Sequence, residues 1–316
     1  MRSINTRLIT LPFCALAAMG TAHAVEQGAP ITPFGVMNFG AGMLPPASDL
    51  PTVALRYASY SATNLRDNSG NSSANSISLN VDSVALAMIK MTNIELFGGK
   101  YGYSAVLPTL NMSNDLVIRS SPGVNIAQPG RDSNIGDITI TPLIVGWTPS
   151  PGLFTNASLQ FQLPTGSYNK DRSINAGSNH YTVSPTFAFT YITPGGYELS
   201  SNIQLNFHSE NTATSYTSGT EYQHEFAVGK HVGPWTLGLG GYHYQQITDD
   251  TGAGTRNVQR GGNGANRSRV TALGPAVRFF DLGSGWPLIW AHFYQEFGAQ
   301  NRTQGTQFSI RAAWSF

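Results

Sequence analysis

Cysteine is all but missing from this chain. Its single copy, Cys14, sits in the first stretch of residues, ahead of a processing site at Ala22-His23-Ala24. Beyond that point neither a disulfide framework nor a thiolate metal site can form. Charge is scarce as well: Asp, Glu, Lys and Arg together make up 11% of the chain, against about 25% in ordinary soluble domains. The formal net charge of +1 offers no basic stripe for a phosphate backbone, so nucleic acid is not an expected partner. Long apolar runs are also lacking, and none approaches the roughly 20 residues of a membrane-spanning helix.

What is present begins with a leader. Arg2 and Arg7 form a basic start, Leu8–Ala18 an apolar run, and Ala22-His23-Ala24 a small-x-small cleavage site, the pattern of a signal peptide. Residues 1–24 are therefore expected to be removed on export, leaving Val25 first. Phe13 before Cys14 is bulky where a lipoprotein signal wants a small residue. After the leader, 34 glycines across the chain, abundant Asn, Ser and Thr and a hydrophobic content of 41% suit a barrel whose lipid face and polar lumen average out.

The alternation is clearest in Thr306–Phe316. Phe308, Ile310, Ala312, Trp314 and Phe316 share one face, and Gln307, Ser309, Arg311, Ala313 and Ser315 the other. Side chains of a strand switch faces at every residue, and eleven residues match the roughly 9–11 that a tilted transmembrane strand needs. Twelve such segments are predicted: 52–61, 76–91, 94–111, 136–147, 153–163, 180–191, 197–208, 220–230, 235–246, 268–279, 286–297 and 306–316. Aromatics mark the ends of their apolar faces at Tyr181, Tyr191, Tyr197, Phe207 and Trp235, where rings prefer the bilayer interface.

Connections alternate in length. Short turns are expected at 92–93, 148–152, 192–196, 231–234 and 280–285, and longer polar loops at 62–75, 112–135, 164–179, 209–219, 247–267 and 298–305. A transmembrane barrel has short periplasmic turns and long external loops. The expected fold is thus all-β, a transmembrane antiparallel up-and-down β-barrel over residues 52–316 with twelve strands, or fourteen if 112–135 hides another hairpin. Open sheet edges are excluded in hydrocarbon, so 306–316 must seal against Thr52–Ser61. A terminal strand closing on Phe316 resembles the C-terminal signature of bacterial outer-membrane barrels, which implies the outer-membrane assembly machinery as a partner and the outer-membrane bilayer as surroundings.

Residues 25–51 fit neither class. They are rich in Gly and Pro and carry Phe34, Met37, Phe39 and Met43 without alternation. Two readings stand: a loose periplasmic tail, or a plug that buries these apolar residues in the lumen.

Several segments together resemble the outer-membrane proteins grouped as the meta-pathway of phenol degradation, or SphA-like, transporter family. They are Ile135-Gly136-Asp137-Ile138-Thr139-Ile140-Thr141-Pro142, Leu163-Pro164-Thr165-Gly166-Ser167-Tyr168, and Asn175-Ala176-Gly177-Ser178-Asn179 with Pro185 behind it. Further on come Ser218-Gly219, Gln246 with Thr248-Asp249-Asp250, Gly274-Pro275, and Asn301-Arg302 before Gly305. Tyr181 departs from the Trp expected after the Gly-Ser-Asn step. The resemblance implies a channel or transporter that moves small hydrophobic or aromatic solutes inward, without catalytic residues or cofactor.

Arg56, Glu198, His208, Glu225, His292, Glu296 and Arg311 fall on the polar phase and are expected to face the lumen, where charges pair with one another or tune what passes. Symmetric pairing about the 193–196 turn puts His180 opposite His208, and the same arithmetic about 298–305 puts His292 near Arg311. Two histidines fall short of a metal set, so no metal is expected. Two rival readings remain. One is a lipid hydrolase on the outer wall, suggested by outward-facing His224 between Tyr222 and Phe226, although no Ser lies two residues from a His there and no orienting acid or amide is evident. The other is a structural or adhesive barrel using the Asn/Gly/Thr-rich loops.

Overall fold

The alternating segments pair into one antiparallel sheet in the computed structural model, which describes residues 34–120, 124–257, 267–281, 283 and 285–315. The strands are β1 (Thr52–Arg66), β2 (Ser76–Leu96), β3 (Gly99–Ser120), β4 (Val124–Ile135), β5 (Thr139–Ser150), β6 (Leu153–Gln162), β7 (Thr182–Ile192), β8 (Tyr197–His208), β9 (Glu221–Val232), β10 (Trp235–Gln246), β11 (Arg269–Phe279), β12 (Leu288–Gln300) and β13 (Arg302–Trp314). Eleven of the twelve predicted segments each lie mainly on one strand, and 94–111 starts at the end of β2 and crosses a turn into β3. Apart from β4 and β5, neighbours in sequence are neighbours in space, and the ring closes where β1 pairs with β13 from Val53↔Trp314 to Arg66↔Arg302. Twelve strands form the closed wall and β4 pairs with β3 alone. Leader residues 1–24, the start of the N-terminal segment and Phe316 lie outside the described residues. Among the described residues no helix is long and apolar enough to cross a membrane.

The two faces follow from composition. Leu199, Phe187, Leu237, Phe293 and Ile310 are exposed on the outer wall, while Glu198, Ser200, Asn206, Gln223 and Ser309 are buried inside. Tyr181, Tyr191, Tyr197, Phe207 and Trp235 are exposed at strand ends, as amphipathic rings are at bilayer interfaces.

Three expectations need correction. The segment 112–135 adds no further pair of wall strands: β3 runs on to Ser120 and β4 folds back along it from Thr109↔Ile135 to Ser120↔Val124. The first short turn falls at Phe97-Gly98, both with positive φ (52° and 74°), the two-residue hairpin geometry that matches strand twist. The polar Thr92-Asn93 step is instead a register shift between Met91 and Glu95. The apparent loop 298–305 contracts to a tight reversal at Asn301 (φ 50°) because its polar residues continue β12 and β13 beyond the apolar band. Along β2, pairing with β1 and β3 is unbroken at Ser83. Asn80 and Asp82 share the outward phase of Val84 and Leu86, and Tyr57 donates its hydroxyl to Asp82 at 2.9 Å. The apolar pattern breaks in the sequence because the outer face turns polar there.

Candidate functional site

Two consecutive tight turns fold residues 34–43 inside the barrel: the Ala41 amide donates to Asn38 O and the Met43 amide to Gly40 O. Gly35 and Gly40 have φ of +67° and +77°, a conformation that Cβ-bearing residues resist. Gly42 is needed for space, since a Cβ there would collide with both Phe154 O and the Thr190 amide. Phe34 and Phe39 are buried in the lumen with Tyr242, Tyr244, Tyr294, Val270 and small alanines. Gly229 leaves the space for the Phe39 ring, whose Cζ would lie 2.6 Å from a Cβ there.

The segment's backbone groups are satisfied by side chains of the wall. Glu225 accepts the amides of Val36 (3.0 Å) and Met37 (2.6 Å). Glu198 accepts the Gly40 amide at 2.7 Å and pairs with Arg278 (3.0 Å) and His231 (2.7 Å). Arg56 donates to Phe34 O (3.3 Å) and to Ser309 Oγ (3.0 Å), and Arg311 donates to Val36 O (3.1 Å). Arg311 also lies 4.2 Å over the Trp290 ring. His292 stacks on Tyr294 at 4.0 Å, with its Nδ1 3.3 Å from the Asn38 amide nitrogen. Buried polar groups require such partners, and hydrogen bonds to a charged group are the strong ones.

Five of the seven predicted lumen residues thus meet the segment: Arg56, Glu198, Glu225, His292 and Arg311. The other two lie elsewhere. Glu296 accepts the hydroxyls of Tyr60 (2.7 Å) and Tyr242 (2.8 Å) and the Gly305 amide (2.8 Å), with Arg302 at 3.5 Å. His208 contacts Thr182 Oγ1 at 3.0 Å and Glu221 at 3.5 Å. Of the four residues predicted in the segment, Phe34 and Phe39 are buried as rings. Met37 and Met43 turn their sulfurs toward Arg311 (4.0 Å) and Arg278 (3.8 Å).

Two register expectations shift by a residue or two. His208 pairs with Thr182, not His180, although the two imidazoles still meet edge to face at 5.4 Å. His292 pairs with Ser309, and Trp290 takes the place opposite Arg311. In both hairpins the turn is not centred on the loop read from polarity.

Sequence reading missed Arg278, Asn156, Thr190, Trp290 and Gln307. Trp290 Nε1 donates to Phe39 O (2.9 Å), Asn156 to Ala41 O (3.0 Å) and Gln307 to Phe34 O (2.8 Å), while Thr190 Oγ1 accepts the Gly42 amide (2.9 Å). Thr190 and Gln307 were legible as inward by phase. A partner that contacts them through backbone atoms leaves no trace in side-chain patterning.

The motif segments gather into two knots outside the lumen network. Asp137 accepts the amides of Gly166 and Ser178 (2.8 Å each) and the side chain of Gln162 (3.2 Å), where the β3 pairing passes from β4 to β5. Asp250 accepts the Gly219 amide (2.8 Å), Gln246 Nε2 (2.7 Å) and the Tyr216 hydroxyl. Burial pushes the Asp250 carboxyl up to about 6.

On the outer wall Ser201 Oγ lies 2.9 Å from His224 Nε2. The serine comes from the neighbouring strand β8, which a search along β9 alone passes over. His224 is flanked by Tyr222, Phe226 and His243.

A family model described as "Putative MetA-pathway of phenol degradation" matches residues 62–312. Among solved structures, the chain is similar to an outer membrane channel from Pseudomonas putida F1, with a TM-score of 0.70, 16% identity and coverage of 86% of this chain and 97% of that one. It is also similar to the β domain of the Bordetella autotransporter BrkA (TM-score 0.47, 12% identity, 85% and 100% covered). A third is the CymD monoaromatic hydrocarbon channel (TM-score 0.46, 10% identity, 96% and 98% covered). No curated protein matches the chain.

Proposed function

From the premise that this chain, an outer-membrane β-barrel, belongs to the family of the phenol-degradation MetA pathway, we propose that it is a channel for inward passage of small aromatic or hydrophobic solutes, gated by residues 34–51. The observation that carries this reading is the manner in which the segment is held. Its amides and carbonyls bond to Glu225, Glu198, Arg56, Arg311 and Gln307, and because water can serve the same groups each bond nets only about 1–3 kcal/mol. A structural core is fixed mainly by apolar packing. Here two rings, Phe34 and Phe39, are set among polar anchors, an arrangement that can be emptied without unfolding the wall.

In this reading Glu198, Glu225, Arg56, Arg311 and His292 are the gate's anchors, and His208 and Glu296 line the chamber on its external side. Export through cleavage before Val25 and recognition of Phe316 by the assembly machinery belong to the same reading. The CymD channel's monoaromatic hydrocarbons are the solute class to try first. The test is reconstitution of the mature chain and of a variant lacking Val25–Pro51 in planar bilayers and liposomes. A severalfold rise in conductance on deletion, with uptake of phenol by the intact chain, is expected. Folded protein that passes no solute in either form would refute the channel.

A second reading has one observation in its favour, the Ser201–His224 pair. A hydrolase also needs a group that orients the histidine, and the residue paired with His224 on β10 is His243, whose Nδ1 is engaged by Thr271 Oγ1 at 2.8 Å. Incubation with phospholipid vesicles is expected to release no fatty acid.

A further inference from the structure

The Phe34 ring is held differently from the rest of its segment. It lies between two tyrosines, with ring centroids 5.0 Å from Tyr242 and 4.8 Å from Tyr244, tilted by 38° and 42°. The guanidinium carbon of Arg302 stands 5.0 Å from the same centroid. These distances fall in the range of favourable aromatic pairs and of a cation over a ring face. Val270 and Ala272 belong to the same buried cluster.

Both tyrosine hydroxyls of this box are engaged away from Phe34. The Tyr242 hydroxyl donates to Glu296 and the Tyr244 hydroxyl to Glu221, each at 2.8 Å. The tyrosines therefore offer only their ring surfaces, and Arg302, paired at 3.5 Å with Glu296, offers positive charge to a π face. Such a set of walls selects a flat, neutral, electron-rich ring over an aliphatic body of equal size.

Position within the barrel matters too. Gly40 is anchored at Glu198, the second residue of β8 after a short turn, whereas Tyr244 stands near the far end of β10, two residues before Gln246. Short turns mark the periplasmic side, so the Phe34 box lies toward the outside. A solute entering from outside meets it ahead of the Gly40 anchor. The Phe34 carbonyl, meanwhile, is held independently of the ring by Arg56 and Gln307.

We propose that Phe34 is a built-in occupant of a binding site for a single aromatic ring, formed by Tyr242, Tyr244 and Arg302. A monocyclic arene of the phenol type takes that site by displacing the Phe34 ring. This deepens the channel reading and rests on it: arrival of solute and release of the gate become one exchange of rings. An apolar cavity left by a deleted side chain stays dry and takes up a ring of matching size, so Phe34→Ala should convert the occupied box into a vacant one while the backbone stays anchored.

The experiment follows 4-fluorophenol by fluorine NMR with the full-length mature chain in micelles, folding being checked by heat-modifiable mobility. Phe34→Ala is expected to bind the probe saturably, at least tenfold tighter than wild type, with cyclohexanol competing poorly. Adding Tyr244→Leu to Phe34→Ala should abolish most of the gain. Phe34→Leu keeps the box filled and guards against a folding failure, and it should fall between wild type and Phe34→Ala. Equal binding by all three occupant variants, absence of saturable binding in folded Phe34→Ala, or indifference to Tyr244→Leu would overturn the site. Liposome uptake separates the two readings. Uptake by wild type without a Phe34→Ala gain leaves the channel and removes the box, whereas binding without flux leaves the box and removes the channel.

Discussion

Arg56 and Arg311 stand directly opposite each other across the seam where the first strand meets the last. Both are inside the wall, where like charges are poorly screened. Two things offset their repulsion. Glu225 projects from β9 as the carboxylate whose field reaches both, and the carbonyls of Phe34 and Val36 accept from Arg56 and Arg311. The peptide from Phe34 to Met37 is thus held between cations that take its carbonyls and an anion that takes its amides. The seam of the barrel and the seat of the segment are one electrostatic arrangement.

This makes Glu225 the first residue to change. Glu225→Gln keeps the shape but leaves Arg56 and Arg311 facing each other without the anion. Removing one partner of a buried charge set costs about 3–5 kcal/mol, part of which the segment's carbonyls will offset here. The denaturant midpoint should fall and the conductance should rise. Adding Arg311→Met removes the repulsion and should recover most of the lost stability but not the closed state. A double-mutant cycle by urea unfolding alongside bilayer recording checks both halves.

Gly42 isolates the gate from the barrel. Its Cβ position is taken by Phe154 O and the Thr190 amide, which are wall backbone and cannot yield. Gly42→Ala must therefore push the segment off β6 and β7 and weaken the bond from the Gly42 amide to Thr190 Oγ1. Conductance should approach that of the Val25–Pro51 deletion, with amide protection in β6 and β7 kept, since their pairing does not involve the segment. A closed Gly42→Ala channel would show that the segment is not the barrier.

How much of this could be read in the chain divides along one physical line. Wall strands bury one face in lipid and one in the lumen, so Phe187 against Thr186 or Ile310 against Ser309 announces the period and phase, and twelve staves with their seam follow. Register was legible only to within a residue or two, because it is set by turn geometry at Asn301 and at 193–196, where polarity says little. Arg56, Glu198, Glu225 and Arg311 could be recognised as inward, but not what they hold. Their partners are backbone atoms of Phe34, Val36, Met37 and Gly40, and a peptide group is the same in every sequence.

The loop knot at Asp250 carries a pH dependence with a definite sign. Burial raises the carboxyl from 3.8 to about 6, so the folded knot binds a proton more tightly than the open chain. Its stabilising effect is complete below about pH 4 and is lost as pH rises through about 6; the roughly hundredfold gain in proton affinity sets a ceiling of roughly 3 kcal/mol. Hydrogen exchange in segments 211–220 and 246–252, corrected for intrinsic rates, should report tighter protection at pH 4 than at pH 7. Asp250→Asn should flatten that difference. Protection that rises with pH would reverse the assignment.

Asp137 governs the other knot, and the consequence of losing it follows from what it alone satisfies. Three segments meet there: the β4–β5 joint, the turn at Gly166 and the turn at Ser178, and Asp137 bonds to both turns. The two turns touch so closely that a Cβ on Gly166 would lie 2.7 Å from Gly177 Cα, so no other side chain can enter to replace the carboxylate. Asp137→Ala leaves the amides of Gly166 and Ser178 without an acceptor, at about 1–3 kcal/mol for each group that stays buried. The loop can escape that cost only by opening to water. Exchange of the amides in 164–179 should therefore rise by more than tenfold while the β9–β13 wall keeps its protection, because no bond from Asp137 reaches it. Gly166→Ala should give the same local loosening by sterics, with the carboxylate intact. If Asp137→Ala instead lowers protection evenly around the barrel, the knot is part of the wall's own cooperative unit and the loop is not an independent element.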